Sequence, residues 1–175
     1  MNTPLSHQLD IGHRELISIV GAGGKSTLLF ALGSELVTGG RRVILTTTTK
    51  MARDQVTEPT CWSDDPAIVE TALVGGRALF VAQDEIPGKI TGPSPEAVNR
   101  LFSDTTADYA VVEADGARSM SIKAPAEHEP AIPSCSTLVI VVVGIDVVGR
   151  RVVDVAHRPD RIASLTGLAQ ESILT

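Results

Sequence analysis

Short apolar runs without polar alternation set the strongest limit on the fold of this 175-residue chain. They are LISIV at residues 16–20, VIL at the end of the stretch 42–45, YAVV inside 108–113, and TLVIVVV at 137–143. A strand covered on one face alternates apolar with polar side chains, whereas one covered on both faces, as in a parallel sheet under helices, does not. Segments 26–37, 66–74 and 95–102 carry helical periodicity, and 77–82 reads as a further strand. Ser94 is placed to cap the helix that begins at Pro95. The pattern predicts an α/β fold: a mainly parallel sheet with helices on both faces, residues 137–143 at its centre, and ligands beyond the carboxyl ends of the strands. The length predicts one domain over residues 1–175.

Composition narrows the partners. The 21 acids outnumber 15 bases, and aromatics make up 3% of residues, which argues against nucleic acid. Cys61 and Cys135 lie in no CxxC or Cys/His pattern, so a reduced compartment is expected and a zinc site is not. Residues 1–13 hold no apolar core of signal-peptide length. The run 138–143 is far short of the ~20 residues that span a bilayer. No membrane association and a cytoplasmic location are therefore expected. Residues 159–175 read as one helix, a glycine break and a second helix start that stops at 173–175, so a longer natural chain is expected. Of the four lysines, Lys25, Lys50 and Lys89 fall in a glycine-rich loop or near predicted strand ends, a placement that suits anions.

Gly21, Ala22, Gly23, Gly24, Lys25, Ser26 and Thr27 stand between the first predicted strand and the first predicted helix. In that context glycine amides can turn onto phosphate oxygens, and the helix amino end adds its positive dipole. Lys25 can reach terminal phosphates, and the Ser26 hydroxyl can join a Mg²⁺ shell. The longer loop pattern would place glycine at position 19, which is Ile19, so only the shorter G-x-x-G-K-S-T form is met. That form resembles the loop of Mur-ligase-like ATP enzymes. A dinucleotide fingerprint would need glycine at position 26, which is Ser26. A tight strand-to-helix turn whose glycines serve packing alone is the alternative.

Phosphoryl chemistry also needs an acid beyond a second strand. Glu113 and Asp115, one residue apart after YAVV, are the candidates for metal and water; a solvated strand end is the plainer reading. Thr47, Thr48, Thr49 and Lys50 end the second main strand, where they would face the terminal phosphate and help wall the site toward a second substrate or client, or serve as a β-branched strand end. Lys123, His128 and Glu129 combine a base, a proton carrier and an acid in a proline-stiffened loop. With Arg158, at the head of the last helix, they would wall the site toward a second substrate or client, or form surface turns. Residues 143–146 (VGID) keep only the acid of a guanine-reading motif, which favours ATP over GTP.

The segments VGAGGKST, TTTTKM, VVEADGAR, KAPAEHEP, VVVGIDVVG and HRPDRI, in this order, resemble the YqeC family. These are the selenium-dependent hydroxylase accessory proteins, also called selenium cofactor biosynthesis proteins. The resemblance spans about residues 16–167. It implies a P-loop-type protein that binds a nucleoside triphosphate with Mg²⁺ and helps mature a selenium-dependent molybdenum hydroxylase or its cofactor. Family members tend to be longer. A slow hydrolase is the leading expectation, against a ligase or kinase acting on a small acceptor, or a nucleotide-gated scaffold without essential turnover.

Overall fold

The computed structural model describes residues 3–73 and 77–175. In chain order it begins with α1 (Leu5–Gln8), β1 (Glu15–Gly21), α2 (Lys25–Thr38), β2 (Val43–Thr47), β3 (Lys50–Ala52) and β4 (Thr60–Cys61). Next come α3 (Pro66–Ala72), β5 (Leu79–Val81), β6 (Asp84–Ile86), β7 (Lys89–Thr91), α4 (Pro95–Asp104) and β8 (Tyr109–Glu113). The chain closes with β9 (Ile122–Lys123), β10 (Leu138–Val142), α5 (Val152–Val155), β11 (Ala156–His157) and α6 (Pro159–Thr166). Val74, expected to end the third helix, lies outside the described residues, as do Met1 and Asn2.

Among the described residues the main sheet is parallel and six-stranded, in the order β10-β1-β8-β2-β5-β4. The period-two pleat sends Ile17, Ile19, Val43, Leu45, Phe80 and Val111 to one face, where they pack with Leu29, Leu32 and Leu36 of α2. Leu16, Ile44, Leu79, Val81, Ala110 and Val112 point the other way, onto Val69 of α3 and Val98 and Leu101 of α4. Helices therefore cover both faces, as the apolar runs predict. The Ser94 hydroxyl accepts from the Ala97 amide at 3.2 Å, and Asp65 caps α3 through the Ala67 amide at 2.9 Å. Each cap satisfies an amide that the first helical turn leaves open.

The run expected at the centre lies at the edge. Leu138, Ile140 and Val142 of β10 pack on the α2 side, while Val139 and Val141 are 45% and 69% exposed because α3 and α4 cover strands further along the sheet. A continuous apolar run thus conceals a strand covered on one face. The second helix expected near the carboxyl end is also absent. Gly167 ends α6 in the left-handed region (φ 74°), and the chain returns to bridge Arg151 with Ile173, while Leu174 packs on the small core of Val152, Ala156 and Ile162.

Two smaller sheets surround the carboxyl end of the main sheet. Strands β3, β7 and β6 form an antiparallel trio, and β9 pairs in parallel with β11. Among the described residues no helix is long and apolar enough to cross a membrane.

Candidate functional site

Residues 21–24 connect β1 to α2 in backbone conformations that glycine adopts readily, with φ of 96° at Gly21, 76° at Gly23 and 122° at Gly24. Packing explains two of them. A Cβ on Gly21 would lie 2.2 Å from the Val142 carbonyl oxygen, and one on Gly23 would lie 2.5 Å from the Gly144 backbone. Gly24 differs, because a Cβ there would have no neighbour nearer than 4.0 Å, and this residue lines an open cleft. It heads α2 without any side-chain cap, so first-turn amides and the positive end of a 14-residue helix are left for an acceptor outside the helix.

Adjacent strands β1 and β8 deliver the charged groups. Register pairs Ile19 with Glu113, so the acid at the end of β8 lies beside the start of the glycine loop. The Ser26 hydroxyl donates to Glu113 Oε2 at 2.7 Å. Lys25 folds back over the loop. Its ammonium donates to the Gly21 carbonyl at 2.9 Å and stands 3.7 Å from Glu113 and 3.4 Å from Asp115, leaving the side chain 5% exposed. Burial pushes the Glu113 carboxyl above the ordinary value of 4.5, against the opposing pull of Lys25 and the Ser26 hydroxyl.

Asp115 lies beneath the loop, outside the cleft lining. Its Oδ2 accepts from the Gly21 amide at 3.0 Å and pairs with Lys123 at 3.1 Å, while Oδ1 is buried without a hydrogen bond among the described residues. The side chain of Lys123, expected on the wall of the site, is instead 1% exposed. It also donates to the Gly116 carbonyl at 2.6 Å and to Glu129 at 2.9 Å. The same Glu129 oxygen accepts from Arg158 at 2.7 Å and from the Ala126 amide at 3.2 Å, and these donors hold the carboxyl at about 2 despite its partial burial. Neighbouring His157 is driven toward its neutral form by burial and by the charges of Arg158 and Lys123. Lys123, Glu129 and Arg158 are thus a buttress that runs through Asp115 to the glycine loop. Their hydrogen bonds go to one another and to the Gly116, Ala124 and Ala126 backbone.

The cleft above the loop measures about 590 Å³. Gly23, Gly24, Lys25, Ser26, Thr27 and Glu113 form one part of its lining. Thr49, Lys50 and Glu129 also line it, whereas Thr47, Thr48, His128 and Arg158 do not. Thr47 is buried and donates to the Glu113 carbonyl at 2.9 Å, and Thr48 donates to the Ala131 carbonyl at 2.7 Å, so both hydroxyls serve the backbone. Ala22 is fully buried and its amide donates to the Val142 carbonyl at 2.8 Å, while exposed His128 sits away from the cleft. Lys89, whose placement suits an anion, joins the lining, as do Arg118 and Gln55, for which sequence reasoning offers no role. Lys89 carried a signal as one of four lysines, and Arg118 as part of VVEADGAR.

Chemically, the arrangement offers open helix amides, one ammonium, one hydroxyl and one carboxylate at the carboxyl ends of two neighbouring strands. The Ser26 and Glu113 oxygens are hard donors of the kind Mg²⁺ takes when substrate phosphates complete its shell. Among the described residues no cluster of His, Cys, Asp or Glu could hold a metal by itself.

The family model described as YqeC protein matches residues 17–160. The chain is 38% identical over 177 aligned positions to a protein of Escherichia coli (strain K12) that bears the name "Uncharacterized protein YqeC". That alignment covers 98% of this chain and 69% of the relative. No solved structure matches the chain. A family model matched from β1 into α6, across the glycine loop, Glu113 and the buttress, together with a relative aligned over nearly the whole sequence, places the chain in the YqeC family.

Proposed function

We propose that this protein binds a Mg²⁺–nucleoside triphosphate, ATP in preference to GTP, hydrolyses it slowly in a P-loop-like site, and thereby assists maturation of the selenium- and molybdenum-containing cofactor of selenium-dependent molybdenum hydroxylases. One observation carries the nucleotide part. Ser26 and Glu113 stand 2.7 Å apart at the head of α2, beside Lys25 and beneath an open cleft of about 590 Å³. The first-turn amides would cradle the phosphates, and Lys25 would swing from Gly21 and the two acids to the terminal phosphate. Ser26 and Glu113 would hold the metal, which would supply charge neutralisation on the phosphates. The raised affinity of Glu113 for protons also suits it to orient an attacking water. Asp115 has its polar contacts in the protein interior and fits a positioning role, fixing the Gly21 amide and one end of Lys25's range.

The maturation role rests on membership of the YqeC family and on nothing in the geometry. Phosphate release from ATP and from GTP, measured with the protein alone and with a selenium-dependent hydroxylase apoprotein added, tests the whole reading. Slow basal release accelerated by the apoprotein is expected. Release that responds only to a small-molecule acceptor would replace the accessory role with that of a kinase or ligase, and the absence of release from any triphosphate would remove the hydrolase.

A further inference from the structure

The register of the small antiparallel sheet gathers cations on one face. Lys50 pairs with Thr91 and Ala52 pairs with Lys89, so Lys50 and Lys89 are diagonal neighbours on the same side, about 7–8 Å apart by antiparallel geometry. Met51 and Ile90 alternate to the opposite side and are 2% and 1% exposed, which anchors the sheet, and both lysines line the cleft. Arg118 reaches the same cleft from the loop after β8. That loop places Arg118 and Ser119 consecutively in the left-handed region, with φ of 49° and 59°, a costly conformation for two residues with side chains.

Among the described residues, Lys50, Lys89 and Arg118 form no ion pair within 4.0 Å. Acids on the sheet form no ion pair with them. Glu85 goes to Arg53 at 3.7 Å, and Asp84, which pairs with Thr91 and so is a diagonal neighbour of Lys89 on the same face, comes within 4.0 Å of neither lysine and does not line the cleft. A chain of net charge −6 therefore concentrates three cations without an ion pair in the cleft that also holds the loop amides, Lys25, the Ser26–Glu113 pair and Glu129, whose Oε2 is already taken by Lys123 and Arg158. The loop amides, Lys25 and the Ser26–Glu113 pair are by themselves enough to serve one metal-bound triphosphate.

We infer that Lys50, Lys89 and Arg118 bind the phosphate group of a small phosphomonoester alongside the nucleotide, which makes the second ligand of this cleft a phosphorylated molecule. Two flexible ammonium groups can close on one dianion while the Arg118 guanidinium donates two parallel hydrogen bonds to it. The inference rests on the reading that the glycine loop holds a triphosphate, and the test separates the two. Glycerol 3-phosphate and inorganic phosphate are titrated calorimetrically into the protein, both free and saturated with Mg²⁺ and a non-hydrolysable ATP analogue. Wild type should bind both probes in the saturated state. The double variant Lys50→Ala/Lys89→Ala and the single variant Arg118→Ala should each bind them at least about tenfold more weakly, with affinity for the analogue within about twofold of wild type. Lys25→Ala should do the reverse. Failure of the saturated wild type to bind either probe, or loss of analogue affinity in the lysine and arginine variants, overturns the inference. A wild type that takes no analogue, yet whose free form binds the probes in a manner lost with Lys50, Lys89 and Arg118, refutes the nucleotide reading alone.

Discussion

Replacing Glu129 with Gln removes the charge on which Lys123 and Arg158 converge and nearly preserves its shape. The carboxyl ionises at about 2 in the fold against 4.5 ordinarily, which corresponds to roughly 3 kcal/mol favouring the ionised form. Breaking a buried pair by deleting one partner costs a comparable amount, about 3–5 kcal/mol, and the Lys123 side chain is 1% exposed. For a chain of this length each kcal/mol moves the melting temperature by about 2–4 °C, so Glu129→Gln should melt roughly 6–12 °C below wild type at pH 7. The sign of the pH dependence follows from the lowered pKa. The stabilisation is fully present above 4.5, where the unfolded chain is ionised too, and is lost as pH falls through about 2. The variant has no carboxyl to titrate, so the gap between the two proteins should shrink to about half or less by pH 3. Melts of both proteins followed by far-ultraviolet circular dichroism from pH 7 to pH 3 measure it. Parallel curves with a constant gap, or a gap below about 1 kcal/mol at pH 7, would refute the buttress.

Three further outcomes follow from the site. Glu113→Gln should lower triphosphate turnover about 100-fold while metal-free triphosphate affinity changes little, because the residue acts on metal and water; equal losses in both would contradict that division. Gly23→Ala should cost at least about 2 kcal/mol in urea unfolding, since the added Cβ meets Gly144 at 2.5 Å in a backbone with φ of 76°. His128→Ala should leave stability, triphosphate affinity and turnover unchanged, and a loss in any of them would return the exposed imidazole to the mechanism.

Local pattern made part of this legible in the sequence. The glycine loop between strand and helix, the acid ending YAVV, and the Ser94 cap each depend on neighbours within a few residues, and the structure has them where the pattern puts them. Long-range packing was not legible. TLVIVVV reads the same at the centre of a sheet or at an edge, and only the extent of α3 and α4 decides that Val139 and Val141 stay exposed. Lys123 and His128 lie in one polar loop, yet β9 pairing with β11 turns Lys123 inward to Asp115 and leaves His128 outside. The two lysines of the small sheet are 39 positions apart, so their common face emerges only from the β3–β7 register.

The central claim is that the loop at the head of α2 binds a triphosphate through Lys25. Calorimetric titration of ATP and GTP with Mg²⁺ into wild type and Lys25→Ala, with circular dichroism to establish that both are folded, tests it most directly. Saturable binding to wild type, weakened at least about 100-fold in a folded Lys25→Ala, is the predicted result. Equal affinity of the two proteins for every triphosphate, or no binding to wild type, would contradict it.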